Sequence, residues 1–161
     1  MSKVGGEARV DDKRVPQTHF TVTLRSDGVV WLARTNVVYP HIRAVHDAYD
    51  QFLRVVDDWL LDRRIKLGLL GKKARTPMSW LYDVRGAPVL RNDPEFEKVV
   101  QARRADLLQR SPALAILVGT AAGRMQLSRL LSSAKVEIGV FDDFEEATAW
   151  LLDRQLRAFP T

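Results

Sequence analysis

Between Phe20 and Leu24 apolar and hydroxyl side chains alternate strictly, Phe-Thr-Val-Thr-Leu, which is the period of a half-buried strand. A second apolar run, Val29 to Ala33, follows Asp27-Gly28, a dipeptide suited to a two-residue hairpin turn. Such a turn sets Leu24 opposite Trp31 and Val22 opposite Ala33. Phe20, Val22, Leu24, Trp31 and Ala33 then share one face, and Thr21, Thr23, Arg25 and Arg34 take the other. Beyond His41 the period lengthens. Ile42, Val45, Tyr49, Phe52, Val56 and Trp59 recur at steps of three and four, predicting a helix over about 41–64.

After a loop over 65–77 closed by Pro77, the run Met78-Ser-Trp-Leu-Tyr-Asp-Val84 reads as a strand, with Met78, Trp80, Tyr82 and Val84 on one face. Asn92 or Asp93 is placed to cap the next helix, with Pro94 near its first position, Glu95 and Glu97 in its first turn, and Ser111-Pro112 at its end. Residues 113–118 are continuously apolar, as in a parallel strand covered on both faces. A helix is predicted from Thr120 to Ser133 and a last strand over 136–141. Asp142-Asp143-Phe144-Glu145 is a capping-box pattern for a terminal helix with Phe144, Ala147, Leu151 and Leu152 inward.

Strands alternating with helices imply crossover connections. The expected fold is therefore a single-domain α/β structure over residues 17–159, a mixed, mostly parallel five-stranded sheet with four helices. Residues 1–16 are polar and unpatterned and are expected to form a mobile arm.

Composition narrows the chemistry. The 161 residues include no cysteine, which excludes disulfides, thiolate catalysis and cysteine-ligated metals. No apolar run approaches the length of a membrane span, and residues 1–17 lack the apolar core of a signal peptide, so a cytoplasmic protein is expected. The net charge of +5 is concentrated in Arg63, Arg64, Lys66, Lys72, Lys73 and Arg75, a segment without an acid. Such a cluster could touch nucleic acid, anionic lipid or an acidic partner; basic residues at a helix end are also favourable against its dipole, and the lack of interleaved aromatics argues against single-stranded nucleic acid. His41 and His46 are five apart and do not stack as a helical metal pair would, so no metal or cofactor is expected. Asp57 and Asp58 are consecutive on a helix and diverge. The nucleophile, phosphate-loop and dinucleotide-binding motifs are absent, so no enzyme activity is expected.

The segments LYDVRGAP (81–88), ALAILVGTAAGRMQLSRLL (113–131) and IGVFDDFEEATAWL (138–151), taken with the element order, resemble the SpoIIAA-like branch of the STAS-type fold. The likeness runs over about residues 18–154. It implies a regulatory, protein-binding role like that of anti-sigma-factor antagonists, or lipid binding as in domains of the CRAL-TRIO type. Phospho-switch regulators of the family carry a serine just after the aspartate that ends the third strand. Here Asp83 is followed by Val84, Arg85, Gly86, Ala87 and Pro88, with no hydroxyl to modify.

Two roles follow. One is a non-enzymatic regulatory or protein-interaction domain with a protein partner. The other is a small-ligand binder, for an anion or lipid, using the crevice at the carboxyl ends of the parallel strands. In either role Asp83, Arg85, Gly86, Thr120, Gly123 and Arg124 are the candidate binding residues. Arg85 and Arg124 are expected to face one space and receive an acidic group, Gly86 to let the backbone approach closely, and Asp83 to pair with an arginine or with loop amides.

Overall fold

A computed structural model describes residues 12–88, 93–131 and 138–158. They form a six-stranded sheet in sequential order: β1 (Lys13–Pro16), β2 (Phe20–Leu24), β3 (Val29–Arg34), β4 (Ser79–Asp83), β5 (Leu114–Leu117) and β6 (Gly139–Phe141). The first three strands pair antiparallel, and β3 to β6 are parallel. The helices are α1 (Ile42–Lys66), α2 (Pro94–Arg110), α3 (Ala121–Leu131) and α4 (Phe144–Ala158). The α/β class, the mostly parallel sheet and the four helices agree with the sequence pattern.

The sheet has six strands rather than five because part of the expected arm is β1. Lys13, Arg14, Val15 and Pro16 pair with Leu24, Thr23, Val22 and Thr21. With one apolar residue and a proline, this segment has no strand pattern of its own. It is an edge strand, where a proline and exposed basic side chains are tolerated and discourage further pairing. Residues 1–11 of the expected arm lie outside the described residues, as does the predicted strand start at 136–137.

The hairpin differs from its expected register by one residue. Leu24 pairs with Val30 and Val22 with Leu32, so the turn has three residues, Ser26, Asp27 and Gly28. Gly28 takes φ +92° at its last position, the left-handed residue that completes a three-residue hairpin loop. Side chains alternate, so this one-residue shift moves Trp31 and Ala33 to the opposite face from Phe20, Val22 and Leu24, and brings Arg34 onto theirs.

One face of the sheet carries Phe20, Val22, Leu24, Val30, Leu32, Met78, Trp80, Tyr82, Leu114 and Ile116. It is covered by Val45, Tyr49, Phe52 and Val56 of α1 and by Leu107 of α2, with Leu127 of α3 packed at its margin. Trp80 is fully buried and its indole N–H donates to Leu107 O at 2.7 Å, joining β4 to the end of α2. The other face carries Val29, Leu81, Ala115 and Leu117 and is covered by α4 through Phe144, Ala147 and Leu151. Gln155 fixes the far end of α4 by accepting from Ser79 Oγ and donating to Asp27 O. Asp93 caps α2 as predicted, accepting from Glu95 N at 3.0 Å, while at α4 the cap falls one residue later than the 142–145 box implies: Asp143 accepts from Glu146 N at 3.0 Å. Asp142, the other acid of that pattern, lies near Arg124 instead.

Two stability outcomes follow from this architecture. Trp80→Ala, which leaves a large void between β4 and α2, should cost about 3–5 kcal/mol by urea denaturation. Deleting residues 1–16 removes β1 and should lower the melting temperature, by about 2–4 °C for each kcal/mol lost. An unchanged melting temperature would show that β1 adds nothing to the sheet.

Candidate functional site

In the parallel part of the sheet the loops after β3, β4 and β5 all leave at one edge, together with the N-termini of the four helices. This is the edge at which open α/β sheets receive ligands. The six candidate residues all lie there. The structure brings them together in two groups rather than one.

The first group centres on Asp83, the last residue of β4, which is 4% exposed. Its Oδ1 accepts from the Arg85 backbone N–H and from Arg85 Nε, each at 3.0 Å. Its Oδ2 accepts from Arg85 Nη2 at 2.9 Å and from the Trp31 indole N–H at 3.0 Å. A buried carboxylate is tolerated only when its lone pairs are filled in this way. Arg85 thus folds back over the strand end, and its guanidinium lies 5.9 Å from the centre of the Phe144 ring. The same hydrogen bonds hold the Arg85 guanidinium in its charged form more firmly than usual. A Cβ on Gly86 would come within 2.9 Å of Arg34 O, a backbone atom, so the close approach expected of this glycine is made to the end of β3.

The second group belongs to α3. Thr120 Oγ1 accepts from Gly123 N–H at 3.0 Å and Thr120 O from Arg124 N–H, so Thr120 caps the helix. Arg124 turns toward Asp142 at the end of β6, 3.7 Å away. Arg85 and Arg124 therefore each lean on an acid of their own. Asp83 is paired with an arginine and with a loop amide, both from Arg85.

Trp31, which the two-residue turn placed on the wrong face, is the residue the sequence reading missed here. Correct hairpin parity puts it on the face of Asp83, where its ring also meets Phe144 edge-on at 4.8 Å. A third cluster had no sequence signal. Tyr49 and Tyr82 share a buried hydroxyl–hydroxyl bond of 2.8 Å, and Tyr39 is sandwiched between the His19 ring and the Arg34 guanidinium at 4.6 and 4.3 Å. Burial pushes the Tyr39 and Tyr49 phenols well above their usual range, so both stay neutral. Burial, and then the Arg34 charge, lower the His19 imidazole below its ordinary 6.5, against a smaller opposing hydrogen bond at Val38.

The basic segment is largely structural. Arg63 Nε donates to Pro77 O at 2.9 Å, and Arg64 binds Leu69 O, Lys72 O, Ala74 O and Thr76 Oγ1 at 2.8–3.0 Å. Among the described residues no three His, Asp or Glu side chains converge as a metal site requires. No described helix is long and apolar enough to cross a membrane. Compared with protein-family models, curated proteins and solved structures, the chain has no match.

Two measurements check this geometry. Asp83→Asn keeps the shape but removes the charge from four bonds, and should cost about 1.5–3 kcal/mol in urea unfolding, with a change in tryptophan emission from Trp31. His19 should titrate below 6.5 by its imidazole proton shifts. Its folded pKa is depressed, so the unfolded chain takes up the proton first. The His19 contribution to stability is accordingly full above pH 6.5 and declines as pH falls from there toward the folded value.

Proposed function

We propose that the protein is a non-enzymatic regulatory domain of STAS-like, SpoIIAA-like type, acting in the cytoplasm by binding another protein through the edge formed by the loops after β3, β4 and β5. The observation that carries this reading is the use of Asp83. Its carboxylate is spent on Trp31 and Arg85, which holds the start of the loop after β4, at Val84 to Gly86, in one shape. A loop held in that way presents a fixed surface to a partner at little entropic cost on binding.

What the edge displays also supports the reading. Val37 and Val38 are 40% and 52% exposed in the loop after β3, and Met125 is 60% exposed near the start of α3. Arg85 stands in the loop after the intervening strand, on the α4 side of the same edge. Exposed apolar side chains and an ordered arginine along one edge are a composition favoured at protein interfaces. With no hydroxyl in the Val84–Pro88 loop, binding is not switched by phosphorylation there. The element order, a hairpin followed by helix-linked parallel strands, further supports the STAS-like assignment.

A photo-crosslinking residue at Val38 or Met125, in the protein expressed in its own cells, should capture the same partner from both positions and nothing from Leu156 on α4. Met125→Asp should abolish that capture without changing the melting temperature. Capture that is equal at Leu156, or a small molecule retained by the purified protein in native mass spectrometry, would remove the protein-binding assignment.

A further inference from the structure

The opposite edge of the sheet carries a surface that the reading above does not use. Four of the eight large apolar side chains left exposed among the described residues fall within ten positions: Leu61 and Ile65, one turn apart on the outer face of α1, then Leu67 and Leu70. Each is about half exposed, between 47% and 56%. Scattered exposed aliphatics need no explanation, but a concentration of this kind marks a contact surface.

The loop bearing Leu67 and Leu70 is fixed in place. The Arg64 guanidinium gathers Leu69 O, Lys72 O, Ala74 O and Thr76 Oγ1, and Arg63 holds Pro77 O and Ser26 O. All six acceptors are uncharged, so these bonds shape the loop without supplying a countercharge; the charge of Asp27 acts on Arg63 from the hairpin turn. Lys72 and Lys73 follow the Leu70 tip and are exposed, and no acid occurs between Arg63 and Arg75. Lys66 pairs with Asp62 across an exposed helical turn, where the pair is worth little.

Three occupants are conceivable, and charge and side-chain type decide among them. A second copy would set two acid-free basic segments against each other across a two-fold axis. A protein partner is disfavoured because the patch offers no aromatic or methionine anchor and is rich in lysine, which interfaces avoid. A bilayer with anionic headgroups suits both features: aliphatic side chains enter the headgroup–acyl boundary while lysines reach lipid phosphates beside them. We propose that the end of α1 and the loop over 67–76 form a peripheral docking surface for anionic membranes.

The test is cosedimentation of the full chain with vesicles of phosphatidylcholine alone and of phosphatidylcholine mixed with phosphatidylglycerol. Binding is expected with the mixed vesicles only, weakening as salt is raised. Lys72→Ala/Lys73→Ala should weaken partitioning about thirtyfold, from about 1 kcal/mol per lysine at a charged surface. Leu70→Ser should weaken it about tenfold while leaving its salt dependence intact. These side chains are exposed, so the variants should melt with the wild type, which separates lost binding from lost folding. The proposal is overturned if mixed vesicles do not bind, if neutral vesicles bind equally well, or if both variants partition like the wild type.

Discussion

Burial of β4 and β5 on both faces is the constraint from which the rest of this structure follows. Ser79 to Asp83 and Leu114 to Leu117 are buried at every position. A strand in that situation needs a cover on each side, and a single layer of helices cannot supply it. The chain answers with α1, α2 and α3 over Trp80, Tyr82 and Ile116, and α4 over Leu81, Ala115 and Leu117. The same constraint explains the pairing of Asp83. A carboxylate at the end of a doubly covered strand has little access to water, and its neighbours must supply the missing hydrogen bonds.

The parallel arrangement also polarises the molecule. Helix N-termini gather at the carboxyl edge of the strands, where Asp93, Glu95, Glu97, Asp143, Glu145 and Glu146 occupy their first turns or caps. Helix C-termini gather at the other edge, with Arg63, Arg64, Lys66, Arg110 and Arg157 in their last turns. Each set opposes the partial charge of the helix end it decorates. The chain's own acids thus compete for the positive field that an incoming anion would seek at the carboxyl edge. The basic edge has no equivalent acids within residues 63–75.

Much of the fold was legible because its signals were local. The α1 stripe, the cap at Asp93, the start of the last helix and the doubly buried β5 each depend on neighbouring residues alone. The hairpin register was not. Val29, Val30, Trp31 and Leu32 are all apolar because β3 is covered on both sides, so the strand has no alternation from which parity can be read. Asp27-Gly28 serves a two-residue or a three-residue turn equally well. The error carried forward into the site, since the donation from Trp31 to Asp83 is invisible until Trp31 is on the correct face. β1 failed for another reason: an edge strand of Lys, Arg, Val and Pro has too little to bury for a pattern to form. Asp83, by contrast, was legible as a structural residue from its place at a strand end beside an arginine.

Among the described residues α4 alone covers one face of the sheet, and this has a consequence for the chain during synthesis. Val29, Leu81 and Leu117 leave the ribosome well before the helix that shelters them, because α4 lies after every strand in sequence. Until Phe144, Ala147 and Leu151 emerge, an assembled sheet would present that apolar face bare, a state open to aggregation or to capture by a chaperone. The other face can close earlier, once β5 has followed α1 and α2. Folding on the ribosome is thereby divided in time, with the final step reserved for a single helix.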